Sequence, residues 1–239
     1  MIRTFAGSCV LTGLAITAFA FAPTAGAQTT ISTFIEGDFF SGWNGWGGGY
    51  QPDYTPTFGQ TFVAPKDNVL NDFTFYIRKW DQFNIRVSIN YQAYVYAWDG
   101  QKATGPALFK SAVSSVDAYR DYAPHTITTG GTALVTGQKY VAFLTTTGLP
   151  PGYESYARTT WGMTKNYTDG YVDGEFIASN NFNDFDALTT KPWAPNVNAF
   201  DTIFTMNFSP AAVPEPATYG LMAGMLVPST ALLIRRRRK

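Results

Sequence analysis

Between Ile85 and Trp98 the chain alternates without a break. Ile85, Val87, Ile89, Tyr91, Ala93, Val95 and Ala97 fall on one side, and Arg86, Ser88, Asn90, Gln92, Tyr94, Tyr96 and Trp98 on the other. Successive strand residues point to opposite faces, so this period of two marks a half-buried strand, or two strands joined by a bulge. Asp99-Gly100 then supplies a tight turn.

The same signal recurs along the chain. Phe73, Phe75 and Ile77 alternate with Thr74, Tyr76 and Arg78. Phe200, Thr202, Phe204, Met206 and Phe208 alternate with Asp201, Ile203, Thr205 and Asn207 as a final strand. Ala133–Val135 and Tyr140–Thr146 flank Thr136-Gly137-Gln138-Lys139, which reads as a hairpin. Leu108–Val113, His125–Thr129, Tyr156–Met163 and Glu175–Ala178 are further short strands, and no long stretch shows helical spacing. Eight or more strands separated by Gly, Pro and Asn turns predict an all-β fold, an antiparallel β-sandwich that is jelly-roll-like. An acidic, Asn-rich loop is expected from Ser179 to Asn198, and Gly42–Gly49 (GWNGWGGG) reads as a flexible lead-in or loop.

Both ends carry addresses. Arg3, an apolar run from Val10 to Ala22 and the small-residue site Ala25-Gly26-Ala27 form a signal peptide over residues 1–27, cut by signal peptidase before Gln28. Its apolar run is too short to span a membrane. Cys9, the only cysteine, lies inside it, so the mature chain has no disulfide, thiolate nucleophile or cysteine-bound metal. At the other end, Pro214-Glu215-Pro216 precedes an almost uncharged stretch, Ala217–Ile234, and then Arg235, Arg236, Arg237, Arg238 and Lys239. Eighteen residues span about 27 Å as a helix, close to a bilayer's hydrocarbon thickness. The terminal cations would hold that end in the cytoplasm and leave everything before Val213 across the membrane. Pro228, Gly220 and Gly224 weaken the segment as a permanent anchor.

The three tail elements, in that order, resemble the PEP-CTERM sorting signal of bacterial envelope proteins. The resemblance covers residues 213–239 only. It implies a transient inner-membrane anchor recognised by exosortase, cleavage at or near Pro214–Pro216, and release to the outer surface or medium in bacteria that make exopolysaccharide and biofilm. The run from Gly59-Gln60-Thr61-Phe62 through Asp72-Phe73-Thr74-Phe75 to Tyr96-Ala97-Trp98-Asp99-Gly100, with Gly105-Pro106-Ala107-Leu108, also looks like the mature region of some PEP-CTERM proteins of unassigned function. That likeness implies a β-sandwich and no activity.

Residues 28–212 form one domain of 185 residues. The chain's 17 cations and 17 acidic residues balance, but six of those cations lie in the end segments against Glu215 alone. The domain therefore keeps 11 cations and 16 acidic residues, a charge of about −5 at neutral pH. With no basic cluster, nucleic acid is not an expected partner.

The chemistry is spare. His125 is the only histidine, and no G-x-S-x-G nucleophile setting accompanies it. The domain's glutamates are Glu36, Glu154 and Glu175, and no pairing for glycoside hydrolysis can be read from their spacing. The expectation is a non-enzymatic protein, structural or associated with exopolysaccharide. A calcium-dependent carbohydrate-binding module is the alternative, and a glycan hydrolase comes third. Asp169, Asp173 and Glu175 could supply oxygens to Ca²⁺, as could Asn183-Asp184-Phe185-Asp186, although Asp-Gly pairs also simply make turns. For sugar, the polar face of the long strand offers Asn90, Gln92, Tyr94, Tyr96 and Trp98, with aromatic rings to stack on pyranoses and amides for hydroxyls. The competing reading is that these rings are packing. Trp43, Trp46, Trp80, Trp161 and Trp193 are further ring candidates.

Overall fold

Alternating apolar strands with no helical stretch can bury their apolar faces only against another sheet. The computed structural model, which describes residues 28–36, 41–47, 54–79, 88–116, 121–153, 158–195 and 200–212, shows that arrangement. The segments read as a leader, 1–27, and as a sorting tail, 213–239, lie outside the described residues, as do Trp80 and Ile85–Val87. Among the described residues no helix is long and apolar enough to cross a membrane.

In chain order the strands are β1 (Thr29–Ser32), β2 (Ser41–Gly47), β3 (Thr57–Val63), β4 (Val69–Lys79), β5 (Ile89–Trp98), β6 (Ala103–Lys110), β7 (Ser114–Val116), β8 (Ala123–Ala133), β9 (Lys139–Thr145), β10 (Arg158–Met163), β11 (Phe176–Ser179), β12 (Ala194–Pro195) and β13 (Phe204–Ser209). A one-turn helix, α1 (Ala187–Thr190), lies between β11 and β12. The first sheet runs β1-β13-β4-β10-β2, with β8 on the free side of β4; the second runs β12-β11-β3-β9-β5-β6, with β7 on β5. All pairings between these strands are antiparallel.

The layer between the sheets is aromatic. Trp46, Trp161, Phe73, Phe75, Phe204 and Phe208 from the first sheet meet Phe58, Phe62, Tyr91 and Tyr140 from the second, all buried. Phe58 meets Trp161 edge-on at 5.5 Å, and Trp46 meets Tyr91 at 5.9 Å. Each such ring removes roughly 150–250 Å² from water, and this burial holds a core that has no disulfide.

Three expectations change. The Gly-rich Gly42–Gly49 stretch is not a loop over its described part; it forms β2. Gly45, at φ 101°, supplies the bulge that puts Trp43 and Trp46 on the same face, Trp46 fully buried and Trp43 41% exposed beside Phe176 and Phe200. The Ala133/Tyr140 hairpin does not form, because β8 pairs with β4 and β9 with β3 and β5, in opposite sheets. The link between them is tied down by Leu134 N–H to Asn68 O (2.9 Å), Ala64 N–H to Gln138 O (3.0 Å) and Gly137 N–H to Ala64 O (2.9 Å). Finally, the last strand begins at Phe204 instead of Phe200, and Phe200–Ile203 lead into it buried throughout.

Gly59, central in the second sheet, faces Phe143 so closely that an added Cβ would sit 2.7 Å from the Phe143 Cβ and 2.8 Å from the Ala142 carbonyl. Because both neighbours are fixed by β9, Gly59→Ala is expected to destabilise the domain by about 1–3 kcal/mol in urea unfolding. An unchanged midpoint would mean the two strands are spaced more loosely than described.

Candidate functional site

The second sheet is covered on both faces. On its outer side, Tyr94, Tyr96 and Trp98 pack with Val141, Phe143 and Ile177 beneath Leu188 and Trp193, and Phe185 joins from the edge. The sequence candidates for ring stacking are therefore not an open platform. Tyr94 is 3% exposed, Tyr96 6% and Trp98 9%. Burial pushes the Tyr94 hydroxyl up to about 12, with Tyr96 beside it adding to the shift. Gln92 is also committed: its amide donates to Ser111 O at 3.0 Å and accepts from the Tyr94 hydroxyl at 3.2 Å. Asn90 donates to Tyr153 O at 3.0 Å. The reason is a segment roughly ninety residues further on, which folds back as a cap.

That cap is the stretch from Ser179 to Ala194, and its residues line a groove of about 740 Å³. Asn180, Phe182, Asn183, Asp184, Lys191 and Trp193 are among the residues lining it. The cap is held to the sheet by polar ties. The Thr57 hydroxyl donates to Asn181 Oδ1 (3.0 Å), the Asn181 amide to Asp184 O (3.0 Å), and the Thr147 hydroxyl to Phe182 O (2.8 Å). The Trp193 backbone N–H donates to Gln101 O (2.9 Å) and its indole to Leu188 O (2.8 Å). Its ring stands edge-on to Trp98 at 5.6 Å and to Phe143 at 5.2 Å. The aromatic ladder of β5 thus supports the groove from below.

Phe182 is the unusual residue here. It sits at φ 49° and is 61% exposed. A non-glycine side chain in the left-handed region is strained, typically by about 1–3 kcal/mol, and such strain concentrates at functional positions. The ties at Asn181 and at the Phe182 carbonyl hold it there. The groove's one charged pair, Lys191 to Asp184 at 3.5 Å, is largely exposed and so weak. Asp184 Oδ1 also accepts from the Ala187 N–H at the start of α1, at 3.2 Å. Sequence reasoning placed these residues in a loop and, apart from Trp193, singled out no ring among them. The available signal was the composition of Asn180–Asp186, amides interleaved with two phenylalanines.

The other candidates lie elsewhere. Asp169 Oδ1 closes a turn onto the Tyr171 N–H at 3.0 Å, and the Glu175 backbone extends the pairing with Thr61. Among the described residues no three His, Cys, Asp or Glu side chains gather closely enough to hold a metal ion. His125 lies on β8 with its ring edge-on to Tyr91 at 6.4 Å, at the margin of the core. Glu154 lies outside the described residues.

No family model matches the chain, and no curated protein matches it in sequence. The structure is similar to part of the crystal structure of the cysteine protease and lectin-like domains of Cwp84, a surface layer associated protein of Clostridium difficile. Identity is 12% and the TM-score 0.39, over 66% of this chain and 32% of that one, so the chain spans about a third of that structure. At that distance the likeness carries nothing about ligand or reaction.

The loop before β11 depends on Asp201, which is fully buried. It accepts from Gly170 N–H (2.8 Å), Tyr171 N–H (2.8 Å) and the Gln60 amide (2.6 Å). Desolvation outweighs these donors and raises the carboxyl from 3.8 to about 6. A raised folded value means the group stabilises the fold fully below its unfolded value, and that stabilisation fades as pH climbs through about 6. A shift of that size is worth about 2–3 kcal/mol. The melting temperature of the wild type should fall between about pH 4 and pH 7 relative to Asp201→Asn. The variant loses the Gln60 contact but should show a flatter profile. Parallel profiles would show that Asp201 does not titrate in this window.

Proposed function

We propose that this is an exported, non-enzymatic β-sandwich of jelly-roll-like topology. It is delivered to the cell surface through its PEP-CTERM tail and associates there with exopolysaccharide. The observation that carries the binding part of this reading is the capped groove, where exposed Phe182 and the neighbouring amides are held on a stiff sheet. A flat ring beside amides that both donate and accept suits a sugar's apolar face and hydroxyl rim. His125 supports the non-enzymatic part, since its ring is packed against Tyr91 and no nucleophile setting accompanies it in the sequence. The tail supports transient anchoring in the inner membrane, with signal peptidase and exosortase acting as processing partners.

Two measurements test this. The intact mass of the protein from its producing bacterium should correspond to a chain beginning at Gln28 and ending near Pro214–Pro216. A membrane-bound species still carrying Arg235–Lys239 would sink the sorting reading. In co-sedimentation with the bacterium's own exopolysaccharide, the protein should pellet with the polymer in the presence of EDTA. Its melting temperature should not move on adding Ca²⁺, because the ring and amides need no ion. A calcium-dependent rise in both would favour the calcium-dependent carbohydrate-binding alternative instead.

A further inference from the structure

Resting on the reading of the groove as a glycan site, we infer that its ligand is a neutral hexose chain stacked on Phe182, and that uronate-bearing or sulfated chains are excluded. Three observations converge on this. Phe182 keeps a large exposed ring at φ 49°, a conformation that glycine or asparagine adopts far more readily. Its carbonyl is tied to Thr147 and its neighbour Asn181 to Thr57, so the surrounding bonds fix the backbone from which the exposed ring projects. With the backbone already held, binding has only the two side-chain torsions of one ring to order, which favours stacking against a flat apolar face.

The second observation is the chemistry beside the ring. Asn180 and Asn183 are exposed amides on the lining of the groove. Each amide offers two N–H donors and a carbonyl acceptor, the complement of hydroxyl groups that donate and accept at once. A carboxylate or sulfate ester accepts only, and would leave half of that capacity unused.

The third is charge. Among the described residues Lys191 is the only cation lining the groove, and it stands 3.5 Å from Asp184. The lining therefore presents no net positive charge, on a domain whose acidic residues outnumber its cations by 16 to 11. An anionic polymer approaching this surface is repelled at long range, and at short range it meets a single exposed cation whose charge Asp184 balances. The volume of about 740 Å³ lies within the span of small-ligand clefts, roughly 300–1,000 Å³, so a few sugar residues of a chain would be engaged at a time.

The test uses the full-length protein in a polyoxyethylene detergent, which has no sugar headgroup. It is presented with neutral dextran, laminarin and galactomannan and with anionic alginate, hyaluronate and dextran sulfate. At least one neutral chain should bind and no anionic chain should. The neutral binding should be insensitive to raising salt from about 50 to about 500 mM. Phe182→Gly should weaken it roughly tenfold or more without lowering the melting temperature, because glycine relieves the left-handed backbone. Phe182→Trp should retain it. Binding confined to anionic chains, and lost with salt, would overturn the neutral-ligand inference and leave the polysaccharide reading standing. Neutral binding untouched by Phe182→Gly would overturn the groove as its place. Binding to none of the six polymers, with the host exopolysaccharide also left in solution, would overturn both.

Discussion

The second sheet is buried on both faces, and most of the molecule follows from that. Its inner face meets the first sheet through an aromatic layer in which Trp46, Trp161 and Phe75 are fully enclosed. Its outer face meets the cap through Tyr94, Tyr96, Trp98 and Phe143. A strand such as β5 is then apolar or aromatic at nearly every position, a pattern more familiar from strands covered by helices on both sides. Here a short connection with a single helical turn does that covering. Burial has a cost that the structure shows openly: the indole N–H groups of Trp98 and Trp161 are enclosed with no hydrogen-bond partner among the described residues. Losing such a bond is worth about 1–3 kcal/mol, comparable to what burying a single large ring returns. The layers tolerate it because many rings are buried at once.

This explains which parts of the fold could be read in the sequence. Strand identity came from local alternation: β4 contains Phe73–Arg78, β5 takes the Ile89–Trp98 part of the run from Ile85, and β13 takes only the Phe204–Phe208 part of the run from Phe200. The sandwich followed from those strands because their apolar faces need an opposing sheet. Pairing did not follow. Thr136-Gly137 looks like a hairpin turn at short range, and nothing within ten residues reveals that β8 and β9 belong to different sheets. The information sits at Asn68 and Ala64, which hold the link from a distance. The Gly-rich run hid β2 for the opposite reason. Its glycines lower the local strand signal, while the fully buried Trp46 ties it to the core.

The rings that the sequence offers for stacking do not lie on an open face. Tyr94, Tyr96 and Trp98 have the composition of a sugar platform, but the face they share was claimed by Leu188 and Trp193, and no periodicity within β5 can report a cover that distant. The rings moved from recognition to support. Exposure passed instead to Phe182, whose signature is conformational: its positive φ is created by ties to Thr57 and Thr147 and is invisible in composition.

Placing the groove on the cap separates two demands that a sandwich otherwise sets against each other. The inner layer carries the stability of a chain without disulfides, and any polar group admitted there is expensive unless, like Asp201, it meets several donors. The cap lies outside that layer, so its amides and its exposed ring can vary without opening the core. Yet it is not a loose loop. Asn181 and the Phe182 carbonyl hydrogen-bond to Thr57 and Thr147, Trp193 to Gln101, and the Trp193 ring is wedged against Trp98 and Phe143. On the glycan reading proposed above, recognition would begin with the backbone geometry already set. The entropy that an unanchored loop would lose on meeting a polymer has been spent in folding, and weak contacts repeated along a chain can then add into useful binding.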